Sequence, residues 1–512
     1  MKGIVSAVGN LRFGSRACVV LMMGATTTTA LHAQNFALLH SFDGTDGYGP
    51  LGTLVQATDG DLFGTTQYGG VAWAEGNLAF GTVFKLSPEG KLTTLYSFCP
   101  PNGGIDCPSG DLTAGGLVQA IDGDLYGTNS QGGTFFPNVG TIFKITLSGT
   151  LTPLYAFCAN KGGACTDGAS PYAGLVQATN GDLYGTTEFG GVNTCPGPTG
   201  GCGTIFKITP SGILTTLYSF CAQRECADGY FPEAGLIQAA NGDLYGTTYA
   251  GGASESDGYG TIFKITPSGT LTTLHHFCSQ GLPYCPDGAI NTAGLVQANN
   301  GDLYGITFRG GVNDGGTIFK MTPDGLLTTL YSFCAQTECT DGSNPSGLIQ
   351  ATDGNFYGTT GGGGANCAPY GCGTIFKITP HGMLTTLHSF DGTDGNFPAA
   401  ALVQATDGNF YGTTDAGGIN NDGTVFGLSV GLPAFVETQT SAGRVGAHVT
   451  VLGTNLIGAT SVTFGGIAAV FTVNHSGTAI STSVPVGAAT GIVQVVTPGG
   501  TLSSNVPFRV LP

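Results

Sequence analysis

Charge is scarce in this chain of 512 residues: 15 Lys and Arg stand against 32 Asp and Glu, 9% of the residues, for a formal net charge of −17. The shortage of basic side chains argues against a nucleic-acid partner, because phosphate binding depends on clusters of Lys and Arg. Long apolar runs are also missing, and no stretch beyond residue 33 reaches the length of a membrane-spanning helix. The eight histidines are scattered and none sits at ligand spacing with a pair of cysteines, which speaks against zinc. No segment of the repeats described below carries a helical period.

Glycine is abundant, with 89 residues and no three-residue period, and this points to turns rather than collagen. Residues 1–33 read as a signal peptide. Lys2, Arg12 and Arg16 precede the apolar run from Ala17 to Ala25, and small residues lead to Ala33. Its removal would take away three basic and no acidic residues, lowering the net charge to about −20. The mature chain is expected to be secreted or at the cell surface, in the periplasm or outside, with no transmembrane segment.

One phrase recurs seven times, beginning at Leu54, Leu117, Leu175, Leu236, Leu295, Leu348 and Leu402, at spacings of 53 to 63 residues. Each copy holds four strand-like runs, here a to d: GLVQA, LYGTT after an Asn-Gly or Asp-Gly turn, GTIFKIT, and LTTLYSF after Pro-Ser-Gly or similar. That length suits a four-stranded propeller blade with long loops. The seventh copy stops at Ser429 without a d run, while Phe36–Phe42 reads FALLHSF. The N-terminal run is therefore expected to supply the missing strand and close the ring.

The repeated LVQATDGDLYGTT and GTIFKITPSGTLTTLYSF resemble the Gloeo/Verruco (GloVer) tandem repeat of exported bacterial proteins, over residues 36–430. The resemblance implies a propeller and brings no established activity. Beyond the repeats, VTVLGTNL from Val449, SVTFGG from Ser461 and ISTSVPVGAATGIVQVVTPGG from Ile480 resemble an IPT/TIG immunoglobulin-like domain, a module that serves as spacer or contact surface. The expected fold is all-β: a seven-bladed β-propeller over 34–431, closed by an N-terminal strand, then an immunoglobulin-like β-sandwich over 432–512.

Fourteen cysteines fall into close pairs: Cys99 with Cys107, Cys158 with Cys165, Cys195 with Cys202, Cys221 with Cys226, Cys278 with Cys285, Cys334 with Cys339, and Cys367 with Cys372. In an exported chain these read as local disulfides stapling inserted loops. All follow run b or d, so they decorate one face, and loops on a rigid scaffold are where binding usually resides. On that face Tyr68, Trp73, Glu75, Phe135, Phe136, Tyr249, Tyr259, Phe308 and Arg309 depart from the repeat and are the candidate ligand-binding residues.

Other repeated residues have simpler readings. Seven glutamines of run a and six lysines of run c are expected to satisfy neighbouring backbone or acidic groups. The aspartates Asp46, Asp167, Asp228, Asp287, Asp341 and Asp394 are explained by turns, so no cofactor is expected and calcium stays the one alternative. Gly427, Ser429 and Gly431 spell a nucleophile-elbow pattern, but no strand-to-helix turn is expected there. His275 and His276 stand together in the fourth d run without an evident partner.

Function is thus read as binding or adhesion, outside the cell or at its surface, with a glycan or extracellular protein as partner. Two alternatives remain: a lyase or hydrolase acting on polysaccharide or lactone, for which no catalytic residue is identified, and a structural surface protein. The oligomeric state is open.

Overall fold

Turn chemistry builds each repeat into a sheet. In the third copy Asn180 caps its own turn, accepting from the Asp182 N–H, while Gly181 at φ +88° reverses the chain between Gln177 and Leu183. The same arrangement carries Thr209 to Ile213, where Gly212 N–H donates to the Thr209 carbonyl. A type I turn with a following left-handed residue fits these bonds better than a two-residue turn.

The computed structural model describes residues 34–71, 80–99, 107, 109–133, 139–158, 165–195, 200–252, 258–279 and 285–512. The expected signal peptide, Trp73, Glu75, Phe135 and Phe136 lie outside the described residues.

The repeats form seven four-stranded antiparallel sheets, each in the order a-b-c-d. In one, Val176–Gln177, Leu183–Thr187, Thr204–Ile208 and Leu214–Ser219 pair in sequence. The seventh sheet takes its fourth strand from the other end of the repeats: Asn35–Ser41 pairs antiparallel with Thr424–Ser429, from Asn35 opposite Ser429 to Ser41 opposite Thr424. The edge that Thr424–Ser429 would expose is thereby covered.

Strands b and c are buried along their length, and d is half-buried. Their aromatic residues tie neighbouring sheets together. The Phe of each d run meets the Phe of the next c run at 5.2 to 5.5 Å between ring centres, from Phe98 on Phe143 to Phe390 on Phe426, and Phe42 on Phe84 completes the series. The Gly of LYG makes room for this ring: a Cβ on Gly185 would lie 2.6 Å from the tip of Phe206.

Residues 436–511 form two further four-stranded sheets and a short parallel pair, Ala442–Arg444 with Arg509–Leu511. Val436–Thr438, His448–Gly453, Ala479–Ser483 and Phe471–Val473 make one sheet, and Ile467–Ala468, Ser461–Phe464, Val493–Thr497 and Gly500–Ser503 the other. Val449, Val451, Phe464, Ile480 and Val495 belong to their shared core.

This C-terminal part docks against the a-to-b turns. Asn474 Nδ2 and Thr478 Oγ1 both donate to the Thr58 carbonyl, Gln439 Nε2 donates to Gln119 Oε1, and Asn505 Nδ2 donates to the Gln350 carbonyl. The contacts favour a docked module over a loosely tethered spacer.

Candidate functional site at the convergence of the sheets

The seven glutamines form a closed circuit. Each Oε1 accepts a backbone N–H from the preceding sheet, from Thr58 to Gln119 round to Thr406 to Gln56. Each Nε2 donates to the glycine carbonyl of its own turn. The six lysines pair with turn aspartates of their own sheets at 2.6 to 3.9 Å. Both sets serve the scaffold.

The aspartates after strand d are engaged as well. Tyr155, Tyr218 and Tyr331 donate a hydroxyl, and His40, His275 and His388 offer Nε2, to six of them at 2.7 to 2.9 Å. Backbone N–H groups occupy the other oxygen of Asp167, Asp228, Asp287 and Asp341. Oxygens already holding donors make a poor calcium cage. His276 stands where neighbouring sheets carry Ser219 and Ser332, its Nδ1 buried without a partner. Ser429 ends a strand paired with Asn35, so the nucleophile-elbow geometry does not form.

All seven cysteine pairs are disulfide-bonded, with Cα atoms 4.1 to 5.5 Å apart. Within a repeat, the segment leading into strand a bridges the loop after strand b, as at Ala169 with Phe189 and Tyr230 with Ala250.

On this face the starts of the seven a strands converge around a cavity of about 560 Å³. Glycine permits the approach: a Cβ on Gly115 would come within 2.6 Å of the Gly174 backbone. Tyr172, Glu233, Phe308 and Phe397 stand in its wall. Tyr172 and Phe397 keep 37% and 39% of their surface, so both rings can be reached.

Acid gathers here. Burial and the nearby charge of Glu188 push the Glu233 carboxyl up to about 8, and burial pushes Glu188 up to about 7. Glu188, Glu233 and Asp415 all act on the Tyr172 hydroxyl, which burial raises above its ordinary range. Among the described residues neither the Glu188 nor the Glu233 carboxyl has a hydrogen bond or ion pair. Asp111, raised to about 6 by burial, lies beside the Cys99–Cys107 disulfide, whose sulfurs are bonded and not free to bind metal.

Of the sequence candidates inside the described residues, Phe308 lines the cavity. Tyr68 is 38% exposed and packs on Tyr48, and Arg309 is exposed. Tyr249 and Tyr259 pack against buried clusters, Tyr259 beside Cys278 and Cys285. Sequence reasoning missed Glu188, Glu233, Tyr172, Phe397 and Asp415. The signal for them was departure from the repeat: Glu188 replaces the Gln67, Ser130 or Tyr249 of other copies, and Glu233 follows Pro232 where Leu51 or Ala114 stands elsewhere.

Among the described residues no helix is long and apolar enough to cross a membrane. The seven disulfides are consistent with a protein outside the cell.

No curated protein matches the chain. Among solved structures, a fungal alcohol oxidase of the AA5 family in complex with copper matches at TM-score 0.50 and 12% identity, over 93% of this chain and 99% of that one. The Penicillium chrysogenum alpha-L-arabinanase complexed with arabinobiose matches at TM-score 0.37 and 14% identity, over 61% and 92%. At such identities the first likeness speaks to the fold alone. The Gloeobacter/Verrucomicrobia repeat matches residues 22–193, 163–340 and 335–492, and on that coverage the chain belongs to the Gloeobacter/Verrucomicrobia repeat family.

Proposed function

We propose that the seven sheets are the blades of one closed seven-bladed propeller over 34–431, that 432–512 are an immunoglobulin-like domain of the IPT/TIG kind, and that the protein is an extracellular or cell-surface binding protein. Its ligand is a glycan or protein segment held at the funnel on the decorated face. The cavity of about 560 Å³ with wall residues from all seven repeats carries this reading. Tyr172, Phe308 and Phe397 supply faces for a sugar ring or apolar side chain, and Glu188 and Glu233 supply carboxyl groups for hydroxyls or amides. The test is an array of glycans and extracellular proteins probed with the disulfide-intact chain. A ligand whose signal falls about tenfold in both Tyr172→Ala and Glu233→Gln supports the reading. No signal, or one indifferent to both changes, overturns it.

A second reading has one observation in its favour. A carboxyl held near 8 beside another near 7 is poised as an acid and base at neutral pH, so the same funnel suits a hydrolase or lyase acting on polysaccharide or lactone. Turnover of such substrates, abolished in Glu233→Gln, would establish it; binding without turnover would leave the first reading standing alone.

A further inference from the structure

Behind the funnel lies a second, half-open cavity of about 300 Å³, between Thr53 and the a strands of the sixth and seventh repeats on one side and C-terminal residues on the other. Thr53 lines both cavities. Strand alternation decides what faces it. Val436 points into the C-terminal core, so its neighbour Glu437 points the opposite way, toward the repeats. Pairing of Val436–Thr438 with His448–Gly453, Glu437 opposite Leu452, fixes that direction.

Glu437 is the sole ionisable group among the residues lining the chamber. Among the described residues its carboxyl has no hydrogen bond or ion pair. Glu437 keeps accessible surface while lining the cavity, and desolvation by the surrounding protein pushes its carboxyl up to about 7. The nearby amides cannot compensate it, because Gln350 and Gln404 spend both ends on the inter-sheet circuit. The loop from Ser504 to Val506 brings no charge, and Leu402, Val403, Phe435 and Val506 give hydrocarbon walls. A hard divalent metal wants six or more oxygens, and one carboxylate with scattered hydroxyls does not provide them. An alkyl chain ending in a positive nitrogen matches both the walls and the charge, with the Phe435 ring as an added attraction for the cation.

We infer that this chamber is a binding site, separate from the funnel, for a small organic ammonium ion whose nitrogen pairs with Glu437. Titration calorimetry of the full chain with n-butylammonium, and with 1-butanol and butyrate as neutral and anionic counterparts, tests it. Near pH 8.5, where Glu437 is ionised, butylammonium should bind one to one and at least about tenfold more tightly than butanol. Glu437→Gln, nearly isosteric and checked for folding by circular dichroism, should remove that preference. Glu89→Gln, a fully exposed site on a c-to-d turn, should keep it. Near pH 5.5 the preference should shrink as Glu437 takes up its proton. Equal affinity for butanol, undiminished binding by Glu437→Gln, or no binding of butylammonium would overturn the proposal.

Discussion

Glu233 couples the funnel to pH. Its folded carboxyl sits at about 8, above the ordinary 4.5, so between those values the folded chain holds a proton that the unfolded chain releases. Stability from this group is therefore full below about pH 4.5 and is lost as pH rises toward 8. Glu233→Gln should match the parent at pH 4 and exceed it at pH 8.5 by about 1–2 kcal/mol in urea unfolding. Equal stability at both pH values would mean that the carboxyl titrates normally. Gln119 predicts the opposite sign. Gln119→Ala orphans the Thr58 N–H and the Gly123 carbonyl and removes the partner of Gln439, and should cost about 1–3 kcal/mol. The glutamine role was legible because a residue present in every copy must meet the same neighbour each time. Glu188 and Glu233 were not: they belong to different repeats, and only the convergence of the a strands brings them within reach of each other.

The strand Asn35–Ser41 is the element on which closure depends. Phe42, fully buried just after it, supplies the seventh inter-sheet aromatic contact, on Phe84. Phe42→Ala should cost about 3–5 kcal/mol, the range for emptying a buried phenyl site. Removing residues 35–42 goes further, since it also bares the edge of Thr424–Ser429. That truncated chain should self-associate in size-exclusion chromatography, and a synthetic peptide of residues 35–42 added in trans should suppress the association. A monodisperse truncated chain with unchanged melting would refute this role. This closure could be read ahead of the structure because FALLHSF repeats the LTTLHSF of the sixth copy. The brevity of strand a could not: it is two residues long in six sheets and eight in the sixth, Ser343–Gln350, a difference that the repeated GLVQA phrase does not encode.

In the whole molecule, seven local staples lie on one face and a docked module on the other. Each disulfide closes a separation of only 5 to 8 residues. By loop-closure entropy each is worth about 2–3 kcal/mol at most, spent on loops and not on the buried b and c strands. Reduction should therefore leave the far-ultraviolet β signal intact while proteases gain access to the decorated face. The docked side predicts coupled unfolding. Thr58 accepts from both Asn474 and Thr478, and Thr406 bonds Thr454, so the first and last sheets hold the same module. Melting the C-terminal part would release the ring at its seam, where Asn35–Ser41 joins the seventh sheet. The intact chain should show one calorimetric transition. The double change Asn474→Ala and Thr478→Ala removes the donors to the Thr58 carbonyl together with the Asn474 cap on the Thr478 and Ala479 N–H groups, and leaves the apolar cores untouched. It should separate a lower transition for the C-terminal sheets from a higher one for the ring. Two transitions already present in the parent would mean that the module rides on the ring without bracing it.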